Sequence, residues 1–143
     1  MRAPVKFLIG LALALLAGWV WHGPAGQGEK LAGRMEADLR NLVAQADLPG
    51  ISARIERAPL SRDAVISGTA NDLQREGLGS QNGVLDYARA TPGIGNVRWD
   101  DQPKGFSLPL LVETLIVAAL AYVLAFGLGA LLFNRRRRHS FID

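Results

Sequence analysis

Residues 110–133 read LLVETLIVAALAYVLAFGLGALLF, and no other stretch limits the fold of this chain as strongly. The 24 residues hold one residue charged at neutral pH, Glu113. At about 1.5 Å rise per residue they make a helix that crosses a hydrocarbon core of about 30 Å with some tilt. Ser107 and Pro109 suit its start, because a hydroxyl can cap a helix and proline costs little in the first turn. Asn134 and the run Arg135, Arg136, Arg137 and Arg138 end it.

A second apolar stretch, FLIGLALALLAGWVW, covers residues 7–21 behind the basic start MRAPVK. Val5 extends the run to 17 residues, the short end for a span. Trp19 and Trp21 sit at its far end, where amphipathic rings favour a membrane–water interface. Two readings fit: a retained transmembrane helix or signal anchor over 1–22, or a signal peptide cleaved after Ala25. Retention is the reading adopted.

Charge then sets direction. The chain carries 16 Lys+Arg against 13 Asp+Glu. Residues 23–108 hold ten basic and eleven acidic side chains, so the positive excess lies at the ends. Basic residues flanking spans stay on the cytoplasmic side. Arg2 and Lys6 before the first span, and Arg135 to Arg138 after the second, put both termini in the cytoplasm. Residues 23–108 then face the other side, the periplasm in a bacterial inner membrane. The arginine run competes with a nucleic-acid patch as a reading, but such a patch comes with a basic face or interleaved aromatics, which the middle region lacks. The expected partner of the tail is the lipid bilayer, with no nucleic acid involved.

Within the spans, Gly10, Ala14 and Gly18 recur every four residues, as do Ala121, Ala125 and Gly129. Small residues at this spacing let helices approach closely. The partner is the other span, a second copy or another membrane protein. Glu113 lies about one turn inside its helix, where it reaches water and meets the favourable end of the helix dipole.

The middle region is a compact sequence of elements. After a 23–28 linker, Leu31, Met35, Leu39, Leu42, Val43 and Ala46 recur at helical spacing and predict an amphipathic helix over about 28–46. ISARIERA (51–58) alternates as a half-buried strand, PLSRD turns, and AVISGTA (64–70) is a second strand. Asn71 with Gln74 offers a capping box. The glycine-rich stretch after it reads as a loop, then a helix over about 81–90. PGIGNVRW gives a turn and a third strand with Val97 and Trp99 inward, and residues 102–108 form a linker into the second span. The fold class is therefore α+β: a small α-β-β-α-β domain, a three-stranded sheet with two helices, between two transmembrane helices.

This order resembles the BON domain, a small module of bacterial envelope proteins. The matching residues are Gly50-Ile51, then Ile66-Ser67-Gly68-Thr69-Ala70, then Pro92-Gly93-Ile94 with Val97. The resemblance covers about 29–101. Two stretches depart from it: the first hairpin, ERAPLSRDA, is longer than a tight turn, and the segment from Gly68 to Pro92 is longer and richer in glycine. The resemblance implies phospholipid binding, membrane attachment and a role in envelope integrity. It transfers no lipid-binding residue.

Chemistry is sparse. The absence of cysteine excludes disulfides, thiolate catalysis and cysteine-ligated zinc. His22 and His139 fall on opposite sides of the predicted membrane. GLGSQNG lacks the spacing of a dinucleotide fingerprint. Ser67 and Ser80 have no histidine nearby, and Asp100-Asp101 is too few ligands for a tight metal site. No enzyme activity and no cofactor are expected. Arg54, Arg57 and Arg62 cluster around the first hairpin and are the candidate contacts for lipid phosphates or a partner's carboxylates. The chain thus reads as a two-span protein displaying a lipid- or envelope-binding domain. The alternative is a small accessory or structural subunit of a larger membrane complex, packed through its helices.

Overall fold

The computed structural model describes residues 3–79 and 81–136. In chain order the elements are α1 (Ala3–His22), α2 (Gln27–Val43) with a following 3-10 turn (Ala44–Ala46), β1 (Ser52–Arg57), β2 (Leu60–Ser67), α3 (Asp72–Glu76), β3 (Gly77–Leu78), β4 (Gln81–Asn82), α4 (Val84–Arg89), β5 (Val97–Trp99) and α5 (Leu110–Arg136). The class is α+β, with an apolar helix at each end. Three strands form a mixed sheet in the order β1-β2-β5. β1 runs antiparallel to β2, and β5 runs parallel to it. The short β3–β4 ladder stands apart.

The core lies between one face of the sheet and the helices α2 and α4. On β1, Ala53 and Ile55 are buried while Ser52 and Arg54 are exposed, the period-two pattern of a half-buried strand. Ile66 pairs with Ala53 and Ala64 with Ile55, so all four point to the core. Val97 and Trp99 on β5 pair with Ala64 and Ile66 and complete this face. Ala32, Met35, Leu39 and Val43 of α2 pack onto it, with Val84, Leu85 and Ala88 around α4. The stripe on α2 passes through Ala32 rather than the expected Leu31, which is exposed. Trp99 leads the wholly buried side chains in volume. The Arg75 guanidinium stands 4.3 Å from the centre of its ring.

Several boundaries move. The first hairpin is tight, contrary to expectation: Arg57 pairs with Leu60, leaving Ala58-Pro59 as the turn. The residues LSRD, read as part of the turn, belong to β2, because its parity puts Leu60 and Ala64 on the core face. The linker expected over 23–28 shortens to 23–26, since Gln27 and Gly28 open α2. The predicted 28–46 helix splits into an α-helix to Val43 and the 3-10 turn. In place of a plain loop after residue 71 there is α3, capped by Asn71. The Gln74 N–H donates to Asn71 Oδ1 at 2.8 Å, and the Asn71 N–H donates to Gln74 Oε1 at 3.0 Å. Gly68 ends β2 with φ of 130°. A Cβ there would strike the carbonyl of Gly50, so the strand exit requires glycine.

Side chains occupy part of each sheet edge. On β1 the Ala53 carbonyl accepts from Arg40 Nε at 3.2 Å, and the Ile55 N–H donates to Glu36 Oε2 at 3.4 Å. On β5 the Trp99 N–H donates to Gln102 Oε1 at 3.2 Å.

The terminal helices pack antiparallel. Phe7, early in α1, meets Tyr122 and Phe126, late in α5, at ring separations of 5.4 and 5.0 Å. Gly18, late in α1, faces Thr114, Leu115 and Ala118, early in α5. The Tyr122 hydroxyl donates to the Phe7 carbonyl at 2.9 Å. Both helices are long and apolar enough to cross a membrane, and their hydropathic windows are 0% buried within the protein.

Candidate functional site

Two connected regions bear on function: the junction between the domain and the apolar helices, and the sheet face turned away from α2 and α4. The junction starts at the N-terminal end of β2. Ser61 forms a β-bridge with Pro109, the residue before α5. Leu110 is 2% exposed. Arg62 Nε lies 2.6 Å from Glu113 Oε2. The contact is an ion pair without hydrogen-bond alignment, since the buried Nε–H does not point at the carboxylate. From the other helix, His22 packs against Gly28 at the start of α2. Glu113 therefore pairs with a domain arginine while its side chain stays 25% exposed to solvent. Ser107 does not cap α5: among the described residues its buried hydroxyl has no hydrogen-bond partner.

The outward sheet face carries one row across all three strands: Arg54 on β1, Val65 on β2 and Arg98 on β5. Ser52 and Ser67 bridge through their hydroxyls at 2.8 Å beside it. Glu56 accepts from Arg98 at 2.9 Å and lies 3.6 Å from Lys104. Burial pushes the Glu56 carboxyl up. The Arg98 hydrogen bond, the Ala58 N–H and the charges of Lys104 and Arg98 outweigh it and hold the group below the usual carboxylate range.

The linker expected over 102–108 is a fixed strap. It leaves β5 at Gln102, whose carbonyl accepts from Arg98 at 3.3 Å. It crosses to the first hairpin, where Lys104 Nζ donates to the Ala58 carbonyl at 2.8 Å. It then pairs with Ser61 through Pro109. Between strap and sheet lies a cleft of about 310 Å³, lined by Asp63, Asn96, Arg98, Lys104 and Phe106 among others. Phe106 is 86% exposed.

The three candidate arginines do not form one cluster. Arg57 joins Glu29 and Glu36 of α2, and the Glu36 hydrogen bond is the main reason its guanidinium is held still more firmly charged. Arg62 is taken by Glu113. Arg54 is exposed and, among the described residues, makes no ion pair, so it keeps its charge for an external group.

The small residues separate in the same way. Gly10 and Gly18 lie against α5, and a Cβ on Gly10 would overlap the Tyr122 ring. Ala14 is half-buried between them in sequence. On α5 the seam uses Leu115, Ala118 and Tyr122, while Ala121 and Ala125 are exposed. A Cβ on Gly129 would meet nothing within 4 Å. Lys6 is exposed on the first turns of α1, and Arg135 and Arg136 close α5. Arg2, Arg137 and Arg138 lie outside the described residues.

Sequence reasoning missed Asp63, Arg98, Lys104 and Phe106. Their only sequence signal is the interruption of a polar linker by one aromatic residue just before an apolar span.

No protein-family model matches the chain, and no curated protein or solved structure does.

Proposed function

We propose that this chain is a two-span protein of a bacterial inner membrane that holds a BON-like domain in the periplasm. There the domain binds phospholipid or other envelope components. Both termini lie in the cytoplasm, and the protein is not an enzyme. The observation that carries the reading is the antiparallel pairing of α1 and α5. It leaves the folded domain at one end of two apolar helices and Lys6, Arg135 and Arg136 toward the other. That matches the direction demanded by Arg2, Lys6 and Arg135–Arg138. The exposed Trp19 and Trp21 fall at the domain end of α1, a favoured depth for indole rings. The BON-like part rests on the element order and on the approach of Gly68 to Gly50. The test is a reporter active only in the periplasm, fused at residue 60 and after Asp143. Activity at the first site and silence at the second is expected. Silence at residue 60 ends the hairpin topology. Lipid binding is tested on the delipidated full chain by native mass spectrometry, with retained phospholipid expected.

One observation favours a second reading, an accessory subunit of a larger membrane complex. Ala121 and Ala125 are exposed on α5, so a stretch of small residues is open to a helix from another protein. Under that reading gentle extraction brings out a stoichiometric partner, and Ala125→Leu releases it.

A further inference from the structure

We infer that the cleft between the strap and the sheet is a headgroup site for a phospholipid carrying a primary ammonium. The inference rests on the membrane-spanning, lipid-binding reading above and names the lipid class for it.

Position comes first. Phe106 precedes Leu110, the first residue of α5, by four residues, which sets it at most about 14 Å along the chain from the helix start. If α5 spans the bilayer, the cleft opens at headgroup depth. A phenyl ring 86% exposed to water is unfavourable there, and an acyl chain or glycerol backbone would cover it.

Charge selects the headgroup. Arg98 and Lys104 share a single carboxylate, Glu56. Lys104 Nζ makes one hydrogen bond, to Ala58, and an ammonium has three donors, so it retains capacity for a phosphate oxygen. Asp63, which also lines the cleft, has no cationic partner among the described residues. Its Oδ1 accepts from the Asn96 N–H at 3.3 Å and from Asn96 Nδ2 at 3.2 Å, which fixes the carboxylate and leaves Oδ2 unpaired. A purely anionic headgroup would meet the Asp63 charge without compensation. A quaternary ammonium has no N–H to give it. A primary ammonium bonded to Asp63, with its phosphate on Lys104 and Arg98, satisfies both signs of charge in the cleft.

The ligand chemistry, a phosphate joined to a primary ammonium, also occurs in soluble phosphoethanolamines. Phe106 favours the lipid. The delipidated full chain in detergent is titrated by native mass spectrometry with phosphatidylethanolamine, phosphatidylcholine, phosphatidylglycerol and soluble glycerophosphoethanolamine. Phosphatidylethanolamine should be retained at roughly tenfold lower concentration than the other lipids, the worth of one charge-assisted hydrogen bond. Asp63→Asn should erase the preference. Lys104→Gln should weaken every phospholipid. Both side chains are polar and lie on the surface of the cleft, and unchanged thermal unfolding confirms that the variants are folded. Equal retention of phosphatidylcholine or phosphatidylglycerol, or a preference that survives Asp63→Asn, overturns the assignment while leaving general lipid binding intact. Soluble headgroup binding as tightly as the lipid overturns the lipid source. Retention of no phospholipid at all overturns the underlying reading as well.

Discussion

Arg62 of β2 and Glu113 of α5 stand 2.6 Å apart, and this contact joins the sheet to the second apolar helix. The two lie 51 residues apart in sequence, on elements that the linker reading would let move independently. With the Ser61–Pro109 bridge, the contact fixes the orientation of the domain on its helices.

The pair is partly exposed, at 43% and 25% for the two side chains, so solvent weakens it. A double-mutant cycle with Arg62→Ala and Glu113→Gln should give a coupling of about 0.5–1 kcal/mol. The measurement is thermal unfolding in detergent. Additive losses would mean that the contact does not hold the junction.

The seam between α1 and α5 can be locked. A Cβ on Gly18 would stand 3.6 Å from the Cβ of Ala118, within disulfide range. The chain has no native cysteine, so Gly18→Cys with Ala118→Cys should cross-link within one molecule on oxidation. An intermolecular product alone would contradict the pairing. Gly10→Val should loosen the same seam at a cost of about 1–3 kcal/mol, because its methyl groups overlap Tyr122.

Glu56 gives the domain an acid-sensitive element. Its folded-state carboxyl sits below the ordinary value of 4.5. Its contribution is therefore complete above that value and is lost as pH falls through the folded pKa. The wild type should lose stability on acidification below about pH 4.5. Glu56→Gln should be less stable at pH 7 and should flatten that part of the curve. Melting temperatures between pH 3 and 7 check both.

Trp99 anchors the core and is 0% exposed. Trp99→Ala should cost about 3–5 kcal/mol and leave the domain unfolded or molten. Trp99→Phe should cost less: among the described residues the buried Nε1–H has no partner, so phenylalanine gives up no hydrogen bond. Hydrogen exchange of the β2 amides separates the two variants.

Elements with a strong local signal were legible in the sequence. The period of two in ISARIE and the i, i+4 spacing of Met35, Leu39 and Val43 report burial directly, because each position's side of the element decides its residue type. The Asn71–Gln74 cap is equally local. The hairpin turn was misread because LSRD is polar, although its parity continues β2. The candidate cleft was not legible. Asp63, Arg98 and Lys104 are ordinary surface residues until the parallel β2–β5 pairing and the strap bring them together. Arg54, Arg57 and Arg62 looked equivalent in sequence, and three different neighbourhoods make them distinct.

Confinement to a membrane makes diffusion two-dimensional, so copies of a displayed domain meet often and in similar orientation. An open strand edge would then invite neighbouring sheets to zip together. Here Arg40 and Glu36 take one carbonyl and one N–H of the β1 edge, and Gln102 takes one N–H of the β5 edge. Wherever copies of such a domain are crowded, these contacts disfavour pairing through the strands. Clustering of copies would then use side-chain surfaces or the helices below.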